Sequence, residues 1–152
     1  MALCAASNIL EALFDNDTGA CIRLDFVDNQ AVMTSALIED RSSLDEEISF
    51  KDGIVAVRHT LTLVADRNLA EAWLEPAFCS EAVLYGLCAI VTLNDGRTLL
   101  VGCSERFGTQ QPLRPVSIVS SSGHRLADMP TLTLTLESYD TSAAAICETF
   151  NG

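Results

Sequence analysis

The stretch "PTLTLTLESYD" (130–140) decides the fold class. Leu132, Leu134 and Leu136 alternate with Thr131, Thr133 and Thr135, the two-residue period of an extended strand. One face of that strand belongs in a core. The other is a short ladder of hydroxyls that must look at bulk water, a neighbouring subunit or something passing by.

The same rhythm recurs through the chain. In "IVAVRHTLTLVA" (54–65), Val55, Val57, Leu61 and Leu63 share one face, and Arg58, Thr60 and Thr62 the other. His59 falls on the apolar face, which predicts a buried, satisfied histidine. "LCAIVTLNDGRTLLVG" (87–102) reads as a hairpin, two apolar runs around Asn94, Asp95 and Gly96. "RPVSIVSSSG" (114–123), "CIRLDFVD" (21–28) and "AVMTSALI" (31–38) are further extended runs. In the run at 21–28, Ile22, Leu24 and Phe26 oppose Arg23 and Asp25. One helix is predicted from "DRNLAEAWLEPAF" (66–78): Asn68 caps, Glu71 completes a capping box, Leu69 and Trp73 form an i,i+4 pair, and Pro76 stops or kinks it. The following "AFCSEAVLYG" adds another turn or two.

Strands, then one helix, then strands, without a βαβ rhythm, predict a mainly β fold. The expected architecture is an antiparallel β-sandwich or barrel of about seven strands with one flanking α-helix. Residues 1–152 read as a single β domain with no repeat or internal linker. Residues 1–18 are expected to be an irregular N-terminal arm, its Ile9, Leu10, Leu13 and Phe14 docking on the domain or on a neighbour. Residues 39–53, "EDRSSLDEEISFKDG", read as an acidic extended loop or a late-ordering hairpin tip.

The 152 residues are 49% hydrophobic but only 6% aromatic, which suggests that a partner covers part of the surface. Nine basic residues, of which Lys51 is the single lysine, face 21 carboxylates for a net charge of −12. That balance argues against a tightly gripped nucleic acid or an anionic membrane, and equally serves solubility. The opening "MALCAASNILEALFDNDTG" lacks the basic region of a secretory signal and carries Glu11 inside its only apolar stretch, and no run is long enough to span a bilayer. None of the six cysteines forms a C-x-x-C pair and only two histidines are present, so no zinc spacing emerges and the thiols are expected to be reduced.

No motif predicts a catalytic, cofactor or metal site. Ser120, Ser121, Ser122, His124 and Asp128 crowd together in "SSSGHRLAD", but nothing around them resembles a strained nucleophile turn. Glu39, Asp40, Asp45, Glu46 and Glu47 are rich in carboxylate, yet no D-x-D-x-D-G loop imposes a calcium geometry. Trp73 reads as a packing anchor.

Between Thr60 and Tyr139, roughly half the chain, the order of elements resembles the tail-tube proteins of bacteriophages, in particular small tube-like proteins from phages and prophages of Bacteroides-type bacteria. The features behind the resemblance are "RHTLTLVADR", "NLAEAWLE", "AIVTLNDGRTLLVG" and, after "ERFG", the pair "LRPVSIVSSSG" and "ADMPTLTLTLESYDTS". The resemblance implies a non-enzymatic virion subunit, related in fold to type VI secretion tubes. Such subunits form homo-oligomeric rings, hexameric by analogy, that stack into or cap a tube for non-specific DNA passage. It implies other tail or connector proteins as partners, no cofactor, no membrane, and assembly in the host cytoplasm before incorporation into the virion. Thr131, Thr133 and Thr135, with the acidic Glu39, Asp40, Asp45, Glu46 and Glu47, become the expected assembly or lumen contacts. The alternative is a monomeric or dimeric β-sandwich that binds a ligand or protein at a loop end.

Overall fold

A computed structural model describes residues 1–28, 33–34, 37, 41–68, 70–122 and 130–147. In chain order the first six strands are β1 (Ala2–Ala5), β2 (Ile9–Phe14), β3 (Cys21–Phe26), β4 (Met33–Thr34), β5 (Ser43–Lys51) and β6 (Ile54–Asp66). Helix α1 (Pro76–Tyr85) precedes β7 (Leu87–Thr92), β8 (Thr98–Val101), β9 (Arg114–Ser121), β10 (Thr131–Asp140) and β11 (Ala145–Ile146). Every paired strand runs antiparallel to its neighbour. The mainly β fold with one flanking helix is therefore present.

A four-stranded sheet, β5-β6-β10-β9, packs against a five-stranded one, β11-β8-β7-β1-β4. The alternating leucines join them: Leu61, Leu63, Leu132, Leu134 and Leu136 meet Leu3, Leu87, Ala89 and Val101 in one core cluster. The three β10 leucines are fully buried. A separate β2-β3 hairpin covers a second cluster built on β1 and β7.

Three expectations are corrected. The N-terminal arm is not irregular: β1 lies inside the five-stranded sheet, paired with β7 on one side and β4 on the other, and β2 pairs with β3. "ALCA" is small and apolar throughout, so a strand buried on both faces shows no alternation to read.

The acidic segment is not an extended loop over residues 43–51. It is the nine-residue β5, paired along its length with β6 through a turn at Asp52 and Gly53. Both turn residues have positive φ, 53° and 77°, as a two-residue Asp-Gly hairpin turn requires.

The helix is also displaced. Only a single 3-10 turn occupies Glu71–Leu74, with Ala70 rather than Asn68 at its cap position and no side-chain cap. Pro76 opens α1 instead of stopping it, since its fixed φ and missing N–H suit the first helical position. Trp73 is buried at the junction, as a packing anchor. Leu69 lies outside the described residues. The helix docks through Phe78 and Ala82, one turn apart, while Val83, Leu84 and Tyr85 are exposed.

Candidate functional site

The outward face of the four-stranded sheet carries a continuous row of hydroxyls. Ser43 on β5 stands opposite Thr62 on β6, Thr62 opposite Thr135 on β10, and Thr135 opposite Ser117 on β9. The next row is charged: Asp45, Thr60, Glu137 and Arg114 lie side by side across the same strands. One step further, Arg58 Nη2 reaches Glu47 Oε2 at 2.9 Å, both side chains exposed. Strand alternation places these residues on one face, and hairpin register lines them up.

The expected contact residues therefore separate. Thr133, Thr135, Asp45 and Glu47 share this outer face. Thr131 belongs to the same strand but is only 5% exposed, so it presents little to any partner. Glu46 points to the opposite face, beside His59. Glu39 and Asp40 lie outside the described residues.

The inward row that contains Glu46 was not anticipated. His59 Nδ1 lies 3.2 Å from Ser138 Oγ on β10, and its Nε2 lies 3.9 Å from Glu46 Oε2 on β5. His59 and Ser138 are both 3% exposed, and Nε2 has no hydrogen-bond partner. The residue types match a Ser-His-acid triad, but the arrangement does not: the hydroxyl is buried on a regular strand, with no turn to present it to a substrate. The row is a polar inclusion in the core, with one satisfied nitrogen rather than two. The serines that sequence crowding highlights, Ser120, Ser121 and Ser122, are exposed at the end of β9, and His124 and Asp128 lie outside the described residues.

A cavity of about 560 Å³ opens beside this row, lined among others by Phe14, His59, Cys103, Glu105, Asp140 and Ala144. Its walls bring together two carboxylates, a thiol and an imidazole edge, with a single aromatic ring. Among the described residues no group of three or more His, Cys, Asp or Glu side chains has metal-binding geometry.

Five of the six cysteines converge nearby. Cys4, Cys21, Cys88, Cys103 and Cys147 belong to one buried cluster with Ala2, Ala6, Ile90 and Leu100. None is in a disulfide. Burial pushes the Cys103 thiol up to about 11, with the Asp140 carboxylate adding to the shift. It pushes Cys4 up to about 12, with Cys103 adding. Cys88 is raised as well, again chiefly by burial. These thiols are protonated small hydrophobes at neutral pH. Sequence spacing could not reveal their convergence, because each comes from a different element.

Exposed apolar side chains gather at the two edges of the four-stranded sheet. Ile48 and Phe50 stand on β5 with Ile54 and Val55 beside them on β6; Val116 and Val119 stand on β9, a strand contacted by α1, which itself exposes Val83 and Leu84. Phe50 is 79% exposed. Among the described residues neither β5 nor β9 has a second strand partner.

Compared with protein-family models, with curated proteins and with solved structures, the chain matches none. Its function has to be argued from this geometry.

Proposed function

We propose that the chain is a structural subunit that assembles with copies of itself through the two edges of its four-stranded sheet, as a ring of the phage tail-tube kind. The observation that carries the proposal is the coincidence of open strand edges with exposed apolar side chains at β5 and β9. A long edge strand bearing Ile48 and Phe50 invites pairing unless something covers it. On β9, Pro115 and the register slip beside Val116 interrupt the edge, which runs regularly from residue 117 to residue 120. Joining β5 of one copy to β9 of the next is a heterologous contact, which closes into a ring when the rotation permits.

Such a ring would turn the row of Ser43, Thr62, Thr135 and Ser117 to one side of the wall, with Asp45, Glu47 and Glu137 beside it. Asp45, Glu47 and Glu137 outnumber Arg58 and Arg114 there, so the face carries a small net negative charge and weakly repels nucleic-acid phosphates instead of gripping them. At physiological salt that repulsion reaches about 8 Å, so it acts as a wall coating. In this reading the subunit is non-enzymatic, needs no cofactor, and passes DNA without specificity.

Light scattering behind a sizing column, followed by negative-stain imaging, tests the proposal. Particles many times the 16.3 kDa chain, dispersed by Phe50→Asp or Val119→Glu with the strand circular dichroism intact, are the expected result. A monomer at every concentration would overturn it. The cavity beside His59 favours a second reading, a β-sandwich binding module, and a monomer that takes up a small ligand there would support that one.

A further inference from the structure

We infer that Cys21 and Cys147 are a disulfide site, which closes under oxidising conditions and ties the strand pair β8-β11 to the hairpin β2-β3. Cys21 begins β3, and Cys147 follows β11 directly; the two residues form an isolated parallel bridge between those segments. The Cys147 thiol stands close enough to the Cys21 thiol to perturb it, while the Cys21 thiol itself donates to the Arg23 carbonyl at 3.4 Å. Bridge partners bring their Cα atoms within the separation that a disulfide spans, and neighbouring sulfurs need only a side-chain adjustment to bond.

The other close pair is less suited. Cys4 and Cys88 face each other inside the β1-β7 ladder, where the Cys88 thiol donates to the Gly102 carbonyl at 3.3 Å much as the Cys21 thiol donates to the Arg23 carbonyl at 3.4 Å. Both strands are fixed there by neighbours on either side, which leaves little freedom to reach disulfide geometry.

The chemistry needs a two-electron oxidant, and a small-molecule disulfide such as oxidised glutathione supplies it. One cysteine, as thiolate, attacks the reagent; a protein–reagent S–S bond forms, and the reagent's own S–S bond breaks to release one small thiol. The second cysteine then attacks the protein sulfur of that mixed disulfide. The intramolecular bond forms, a second small thiol leaves, and the two protons from the cysteines end on the two released thiols. Both sulfurs are buried, Cys21 completely, so the first attack waits on local opening. The two-residue β11, held by Ala145 and Ile146 against β8, is the element whose separation exposes them.

The test uses the full chain, exchanged under native conditions in a glutathione redox buffer, quenched with an alkylating agent, digested and analysed by mass spectrometry. Cys4 and Cys21 share the tryptic fragment ending at Arg23, so additional cleavage at Glu11 separates them. The expected product is a cross-linked Cys21–Cys147 peptide lighter by two hydrogens. It should persist in Cys4→Ser and vanish in Cys147→Ser. Closing so long a loop should also raise the melting temperature by roughly 5–15 °C over the reduced protein. Glutathione adducts without a cross-link, a Cys4–Cys88 cross-link in place of this one, or no reaction after prolonged exchange in mild urea would each overturn the assignment.

Discussion

His59 on β6 and Ser138 on β10 face each other across the sheet with Nδ1 3.2 Å from Oγ, both residues 3% exposed and 79 positions apart in the chain. Removing the hydroxyl in Ser138→Ala leaves both imidazole nitrogens without a hydrogen-bond partner. A buried polar atom stripped of its partner costs about 1–3 kcal/mol, so the urea midpoint should fall accordingly. Replacing the pair together, His59→Leu with Ser138→Ala, removes the orphan and should cost less than the two single changes summed, with a coupling of about 0.5–3 kcal/mol. Strict additivity would mean that the contact contributes nothing.

Two glycines of similar conformation should respond very differently to a methyl group. Gly53 in the β5-β6 turn has φ +77° with open space around it, whereas Gly102 has φ +90° and a Cβ there would sit 2.7 Å from the Leu87 carbonyl oxygen. Gly53→Ala should cost the backbone strain alone, about 1–2 kcal/mol. Gly102→Ala must in addition move the backbone of β7, and should cost roughly 3 kcal/mol or more. Chemical denaturation of the two variants side by side reads the difference. Equal losses would show that β7 gives way freely.

What the sequence made legible follows from exposure. β6, β10 and the β7-β8 hairpin each have one buried and one solvated face or a glycine turn, so their alternation or punctuation is visible; the same alternation puts His59 inside, although its Nε2 is not satisfied there. β1 is buried on both sides and β5 carries Asp45, Glu46 and Glu47 in succession, so neither shows a period. The capping pattern at Asn68 and Glu71 lost to Pro76, whose fixed ring starts a helix where a stop was expected. The partners of His59, the hydroxyl row and the cysteine cluster all depend on cross-strand register between distant segments, and no local pattern encodes that.

The buried thiols should make the fold sensitive to alkali. Cys103 and Cys4 are raised from 9.0 to about 11 and about 12. Above about pH 9 the unfolded chain releases these protons and the folded chain keeps them, so the unfolded state binds fewer protons and stability falls as pH rises. The stabilisation is complete below pH 9 and is lost progressively up to the folded values. Urea midpoints at about pH 8 and about pH 10.5 should therefore differ, and Cys103→Ala should show a smaller difference than the parent. Parallel declines in the two proteins would locate the alkaline sensitivity elsewhere.

The hydroxyl face gives the sharpest test of where the wall of an assembly looks. Thr133 is half-buried on the outward face between the buried Val64 and the exposed Val119, and an arginine there can lay its stem over Val119 and extend its head. Thr133→Arg should leave folding within about 0.5 kcal/mol of the parent, as for a surface change. In assembled particles it would add one guanidinium per subunit to a face on which Arg58 and Arg114 are already offset by Asp45, Glu47 and Glu137. If that face lines a channel, the variant should retain DNA that resists nuclease and is released as salt rises, since each phosphate contact displaces counterions. The parent particles should retain none. DNA held by the variant but fully digested by nuclease would put the face on the outside, and the leucines Leu132, Leu134 and Leu136 would then be packing a wall whose lumen is formed by the other sheet.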